Sequence, residues 1–335
     1  MVNHEQWLSL TKEEVIDPEL PICDPHHHLW EHPGHRYMLE ELLKDITGGH
    51  NVVSTVYVDC QSGYRQTGPE EMRPVGETEL VINLTANQKP GTPEIAAGIV
   101  GHAELMLGSR VAPVLEAHIA AGKGRFKGIR QMGAWESNPA LQGGYNAPKK
   151  ELLLDVRLRE GFACLSRYGL TFETMVFHNQ LMDVVDLARA FPDTTIILNH
   201  IGAPLGVGSY AQKRQEVLAV WKRNMAELST CQNVWVKLGG VGMGILGFGW
   251  DKRAVPPGSA ELAEAAKPYI MWCIEKFGCR RCMFESNFPV DRDSCSYNIL
   301  WNSFKRLTRD FSNAEKKDLF YHSAVRAYKL QPARP

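Results

Sequence analysis

Ile22-Cys23-Asp24-Pro25-His26-His27-His28-Leu29-Trp30 is the stretch on which the fold turns. It reads as a strand near the start of the chain, and a strand sends successive side chains to opposite faces. Asp24, His26 and His28 then share one face, and His27 takes the other. Two imidazoles two residues apart can converge on one metal ion, one water or one substrate oxygen. A hydrogen-bonded pair of core histidines is the structural alternative.

Outward from this stretch, short β-branched or apolar runs recur. Residues 52–58, 95–101, 126–131, 171–177, 194–199, 234–240 and 282–288 predict seven more strands. Helical spacing fills the intervals, as in 150–168 with Leu154, Leu158, Phe162 and Leu165. Two helices, 297–308 and 314–328, close the chain. Strand and helix alternate at the spacing of a βαβ unit, about 30 residues or more. Continuous apolar strands between amphipathic helices mean a parallel sheet buried on both faces. The fold class is α/β, and eight such units close as a single-domain (β/α)8 TIM barrel spanning 1–335. An open doubly wound sheet is disfavoured, because no Gly-x-Gly-x-x-Gly follows the first strand. The stretch 240–258, rich in Gly and carrying Met243, Phe248 and Trp250, predicts a lid-like loop after strand seven.

Composition narrows the partners. The 335 residues are 44% hydrophobic and carry a formal net charge of -1, which leaves no electrostatic footprint for nucleic acid or an acidic membrane surface. The first residues lack a basic segment followed by an apolar run, and no run reaches the roughly 18 apolar residues of a span. A cytoplasmic protein with a small-molecule substrate is expected, without nucleic acid or membrane, and self-association is left open. Eight cysteines are scattered, and the lone Cys279-Arg280-Arg281-Cys282 reads as plain thiols rather than a zinc knuckle.

Catalytic groups of such barrels stand at the C-terminal ends of the strands. Here those ends carry His26 and His28, His102, Arg130, His178, His200, Lys237, then Glu285 and Asn287. Together they predict one convergent polar site.

Six marks recur in order along nearly the whole chain. They are Asp24-Pro25-His26-His27-His28-Leu29-Trp30, Gly128-Ile129-Arg130, His178, Asn199-His200-Ile201-Gly202-Ala203-Pro204, Val236-Lys237-Leu238-Gly239-Gly240 and Phe284-Glu285-Ser286-Asn287-Phe288-Pro289. This pattern resembles the amidohydrolase superfamily, and within it the amidohydrolase-related clade of sugar lactonases and pyrone-dicarboxylate lactonases. The resemblance implies a hydrolase that opens a small lactone or related cyclic ester at a histidine-rich site. It also implies an Asp on strand eight, where this chain has Asn287. An amide cannot act as a general base near pH 7, though it can orient a water.

Two models of the site stand side by side. In one, His26, His28, His178 and His200 supply ligands to one divalent ion, zinc first, which makes hydroxide available. In the other, matching metal-free lactonases of the clade, the histidines and Arg130 polarise the carbonyl directly. Glu285, Asp291 or a histidine free of metal is the base; Glu285 as a buried carboxylate paired with Lys237 or Arg130 is the alternative. Asp24 is expected to orient a histidine. Arg130 suits a bidentate grip on a substrate carboxylate, with a structural ion pair as its alternative. His102, Lys237 and Asp291 are placed on the substrate side, and Trp30, Phe248 and Trp250 as pocket walls. Two other functions remain open: a metal-dependent non-oxidative decarboxylase, which the resemblance ties more strictly to the missing Asp, and a barrel that binds a small molecule without turning it over.

Overall fold

β1 (Ile22–His27) is followed by a small antiparallel hairpin, β2 (Trp30–His32) and β3 (His35–Tyr37). The remaining strands are β4 (Val52–Val58), β5 (Glu94–Gly101), β6 (Phe126–Arg130), β7 (Thr171–Thr174), β8 (Ile196–Leu198), β9 (Val234–Leu238) and β10 (Cys282–Phe284). In this computed structural model, which describes residues 4–89, 91–138, 141 and 147–331, β1 and β4 to β10 form one eight-stranded sheet in chain order. Every neighbouring pair in it is parallel. The ring closes between the first and last strands: His28 N–H donates to Phe288 O at 2.8 Å, and Asn287 N–H to His26 O at 2.9 Å. This is the expected barrel.

Several strands leave the ladder sooner than the apolar runs predict. The runs ending at 177, 240 and 288 pair only as far as Thr174, Leu238 and Phe284. The residues beyond are where the chain turns to aim polar side chains across the barrel mouth. The hairpin β2–β3 adds two short strands beyond the eight that the sequence runs predict.

Helices cover the outside, among them Val75–Leu84, Ala112–Gly122, Leu181–Ala190, Arg214–Leu228, Ser259–Phe277 and Tyr297–Leu307. The helix expected from 150 begins only at Val156. There Asp155 Oδ1 accepts from the N–H groups of Arg157 (2.7 Å) and Leu158 (3.2 Å), satisfying donors that a helix start leaves open. The helix expected over 314–328 is instead split by a π turn at Asp318–His322. That wider turn accommodates three successive buried residues, Leu319, Phe320 and Tyr321. Ala324, Ala327, Tyr328 and Leu330 then pack against Cys23, Val56, Val100, Ile197 and Met283, so the C-terminal segment plugs the barrel from the end where β1 begins.

The long loop after β9 is packed. Met243, Leu246 and Trp250 are buried, and Gly206 N–H donates to Ile245 O at 2.8 Å. A Cβ on Gly206 would lie 2.0 Å from Leu246 O, and one on Gly247 2.1 Å from Gly206 O, so glycine is required where these backbones meet. The loop expected as a lid is thus tied to the loop after β8. Among the described residues no helix is long and apolar enough to cross a membrane, and all eight cysteines are free.

Candidate active site

The histidine triplet stands at the seam where the barrel closes. Between Asp24 and His27 the pairing slips, three steps along β1 matching two along β4. Such a bulge re-aims side chains, and it overturns the expected face for Asp24. Its Oδ1 accepts from Ser286 N–H at 2.9 Å and its Oδ2 from Tyr297 O–H at 3.0 Å. Asp24 therefore joins β1 to the segment after β10, and it reaches His26 through the backbone N–H, at 3.4 Å, rather than through the ring. Burial lifts its carboxyl to about 6.

His26 and His28 do meet, with their Nε2 atoms 3.2 Å apart. His28 Nδ1–H donates to Val58 O at 2.8 Å, which leaves its Nε2 with a lone pair. On the other edge of His26, Nδ1 lies 2.7 Å from Glu285 Oε2 and 3.1 Å from Lys237 Nζ. The second Glu285 oxygen accepts from His200 twice, from Nδ1–H at 2.7 Å and from the backbone N–H at 3.1 Å. The rings of His26 and His200 are 4.6 Å apart. Burial holds both His26 and His28 well below the usual imidazole value, with Lys237 adding to the effect on His26 and Arg130 on His28. These rings are neutral at pH 7, as metal ligands and bases must be.

A left-handed turn aims His200. Residues 200–203 have φ of 52°, 53°, 66° and 30°, and a β-branched residue such as Ile201 rarely accepts that conformation. Three bonds impose it: Gly202 N–H to Asn199 O (3.0 Å), Ala203 N–H to His200 O (2.9 Å) and Trp221 Nε1–H to Ile201 O (2.7 Å). Gly240, at φ 69°, lies where a Cβ would come within 2.6 Å of His200 Cβ.

Two ion pairs flank the cluster, and sequence reading misses the acid of each. Lys237 Nζ is 2.7 Å from Glu173 Oε2, which also accepts from Asn199 Nδ2 at 2.8 Å, while Tyr328 O–H donates to Glu173 Oε1. Glu285 is thus not the partner of Lys237. Arg130 Nε donates to Asp59 Oδ1 at 2.8 Å and its Nη2 to Asp59 O, with Nη1 3.4 Å from His26 Nε2. Arg130 forms the structural ion pair given as its alternative. A lone Glu inside the apolar run 171–177 and an Asp directly after the run 52–58 are the signals that mark Glu173 and Asp59.

Other expected residues lie outside this set of contacts. His178 is buried and pushed down to about 4 by burial, but its Nδ1 accepts from Leu205 N–H at 3.4 Å and its ring meets Tyr210. His102 Nδ1–H donates to Arg130 O at 3.0 Å, so it supports the arginine through the backbone. Asn287 does not continue an alternation from Glu285, since β10 has ended and Asn287 has φ 55°. Its Nδ2–H donates to Asp291 Oδ1 at 2.8 Å, and Gly242 N–H donates to Asp291 Oδ2 at 2.8 Å. Both Asp291 oxygens are engaged, and burial raises its carboxyl to about 8. Trp30 stacks on His28 with ring centres 5.6 Å apart and is pinned through Nε1–H to His35 Nδ1 at 3.2 Å. Phe248 and Trp250 stack on each other and against Arg214 and Arg253.

The donor set suits a divalent ion. Among the described residues, His26, His200 and Glu285 bring one ligand atom each to within 4.8 Å of one another. Glu285 Oε2 is buried without a hydrogen bond despite the nearby His26 Nδ1. If Lys237 donates to Nδ1, that nitrogen presents a lone pair to the carboxylate oxygen, an arrangement that a cation relieves. Imidazole and carboxylate are the ligands that hydrolytic zinc sites use.

Comparison with known proteins identifies the family. A relative from Sinorhizobium fredii, the uncharacterized protein y4mH, is 30% identical over 334 residues, covering 93% of this chain and 99% of that one. An L-fucono-1,5-lactonase from Burkholderia multivorans is 23% identical over 330 residues, covering 92% and 97%. Among solved structures, an amidohydrolase from Burkholderia multivorans with bound zinc superposes with a TM-score of 0.71 at 21% identity, over 92% of this chain and 99% of that one. The amidohydrolase family model matches residues 23–330, and the chain belongs to that family.

Proposed function

We propose that this protein is a hydrolase that opens a small lactone or related cyclic ester by attack of water. The observation that carries the reading is the Glu285 carboxylate set between His26 and His200, 2.7 Å from each ring. Glu285 holds the His200 proton on Nδ1, so Nε2 presents its lone pair to a water and takes a proton as the oxygen adds to the lactone carbonyl. The carboxylate also stabilises the imidazolium that results, as the acid of a catalytic triad does. Arg130 Nη1, beside His26, donates to the carbonyl oxygen as negative charge develops there. Collapse of the adduct expels the ring oxygen, which recovers the proton from His200, and the product is a hydroxy acid. When a divalent ion is bound, His26, His200 and Glu285 would hold it, and it would supply a water acidic enough to ionise near pH 7. The relatives named as lactonases support the substrate class. Asn287, turned toward Asp291, has no role as a base in this scheme.

A panel of five- and six-membered lactones tests the reading, with acid release followed by a pH indicator, in zinc-loaded and chelator-treated protein. Turnover of at least one lactone well above its spontaneous rate is expected, and His200→Ala should abolish it. Folded protein that hydrolyses none of the panel in either state would overturn the assignment.

A further inference from the structure

Sequence alone nominates Arg130 to grip a substrate carboxylate and places Lys237 on the substrate side, yet in the fold each cation is already paired. Lys237 is buried against Glu173 at 2.7 Å. The Nε and Nη2 edge of Arg130, the edge a carboxylate would grip in side-on bidentate fashion, is filled by Oδ1 and the backbone carbonyl of Asp59. The Arg130 and Asp59 side chains are only 11% and 10% exposed, so solvent screens the pair little. We propose that Asp59 is a specificity-determining residue, which occupies the anion-gripping edge of Arg130 and confines the site to uncharged lactones.

A second feature points the same way. The surface cleft of about 420 Å³ beside His102, whose ring bonds the Arg130 carbonyl, is lined by Glu70, Glu71 and Glu104 against the single cation Arg73. Carboxylates gathered in a cleft beside that support of Arg130 disfavour an anion there. Inside the barrel, Glu285 turns its two oxygens to the rings of His26 and His200. An incoming carboxylate therefore finds the gripping edge of Arg130 filled and Lys237 already paired. A neutral, hydroxylated ring meets donors and acceptors throughout. This inference rests on the lactone reading for its substrate, but not for its charge selection.

Asp59→Ala tests it, because the methyl group removes both the charge and the Nε acceptor and leaves only the backbone carbonyl on Nη2. Two matched substrates are compared, glucono-1,5-lactone and the 1,5-lactone of glucaric acid, which differ by a carboxylate in place of a hydroxymethyl group. Calorimetry with glutarate, a non-reactive dianion, gives a readout independent of turnover. Wild type should favour the neutral lactone and ignore glutarate, and Asp59→Ala should move the carboxylated-to-neutral ratio of kcat/KM upward by about tenfold or more and gain glutarate binding. Wild-type preference for the carboxylated lactone, glutarate binding by wild type, or an unchanged ratio and no glutarate binding in the variant would each overturn the proposal. If Asp59→Ala does not fold, the wild-type preference and its glutarate titration still decide. If neither lactone reacts while the glutarate contrast holds, the lactone reading fails and the charge selection stands.

Discussion

Glu173 and Glu285 are two fully buried carboxylates in one barrel, and their surroundings differ. Glu173 is saturated: Lys237 and Asn199 donate to one oxygen and Tyr328 to the other. Glu285 spends one oxygen on His200 and keeps the other free of hydrogen bonds. Leaving a buried polar atom unpaired costs about 1–3 kcal/mol, so the second arrangement persists against stability. The same contrast divides the histidines. His118 has both nitrogens engaged, by Thr78 and by the His102 carbonyl, whereas His200 keeps Nε2 free of any described partner. Saturated groups hold the barrel together, and open ones are left available for a ligand.

The largest effect expected from this contrast is on rate. Glu285→Gln should lower lactone turnover about a thousandfold, within the range of lost general-base function, and change unfolding free energy by no more than about 1 kcal/mol. Steady-state kinetics beside urea unfolding checks both, and a variant that keeps its rate but loses stability would erase the distinction between the two acids. Lys237→Met should do the converse at Glu173. It strands a buried carboxylate and should cost about 3–5 kcal/mol of stability, with part of that recovered in the Lys237→Met/Glu173→Leu double variant.

A third test uses pH. Burial pushes His118 down to about 4 from its ordinary 6.5. In the unfolded chain it takes a proton below pH 6.5 and in the fold it does not, so its contribution is whole above 6.5 and is lost as pH falls toward 4. Glu77 and Asp291, raised by burial to about 7 and about 8, run the opposite way. The difference between wild type and His118→Gln isolates the histidine, and it should shrink by roughly 3 kcal/mol between pH 6.5 and 4. The smallest effect is expected from Tyr328→Phe, which removes one of three side-chain donors to Glu173 and should cost about 1 kcal/mol in the same unfolding assay.

The barrel was legible because β-branched runs and helical spacing are local signals, and each of the eight barrel strands overlaps a run that predicts it. The convergence of His26, His28 and His200 followed from their positions at strand ends. What could not be read is non-local or conformational. The bulge around Pro25 that turns Asp24 away depends on the register against β4, which no local pattern encodes. Lys237 belongs to Glu173 and Arg130 to Asp59 through pairings 64 and 71 residues apart in sequence. The positive φ of Asn287 breaks the alternation that would have put it beside Glu285.

The closing seam has a consequence for how this enzyme comes into being. Asp24 and Ser286, bonded across it, are separated by 262 residues of chain. During synthesis the triplet leaves the ribosome early, but the acid that orders its imidazoles arrives only when the last strand does. A partly made chain therefore carries the histidines without the machinery, and reactivity should switch on in a single late event as the cylinder shuts.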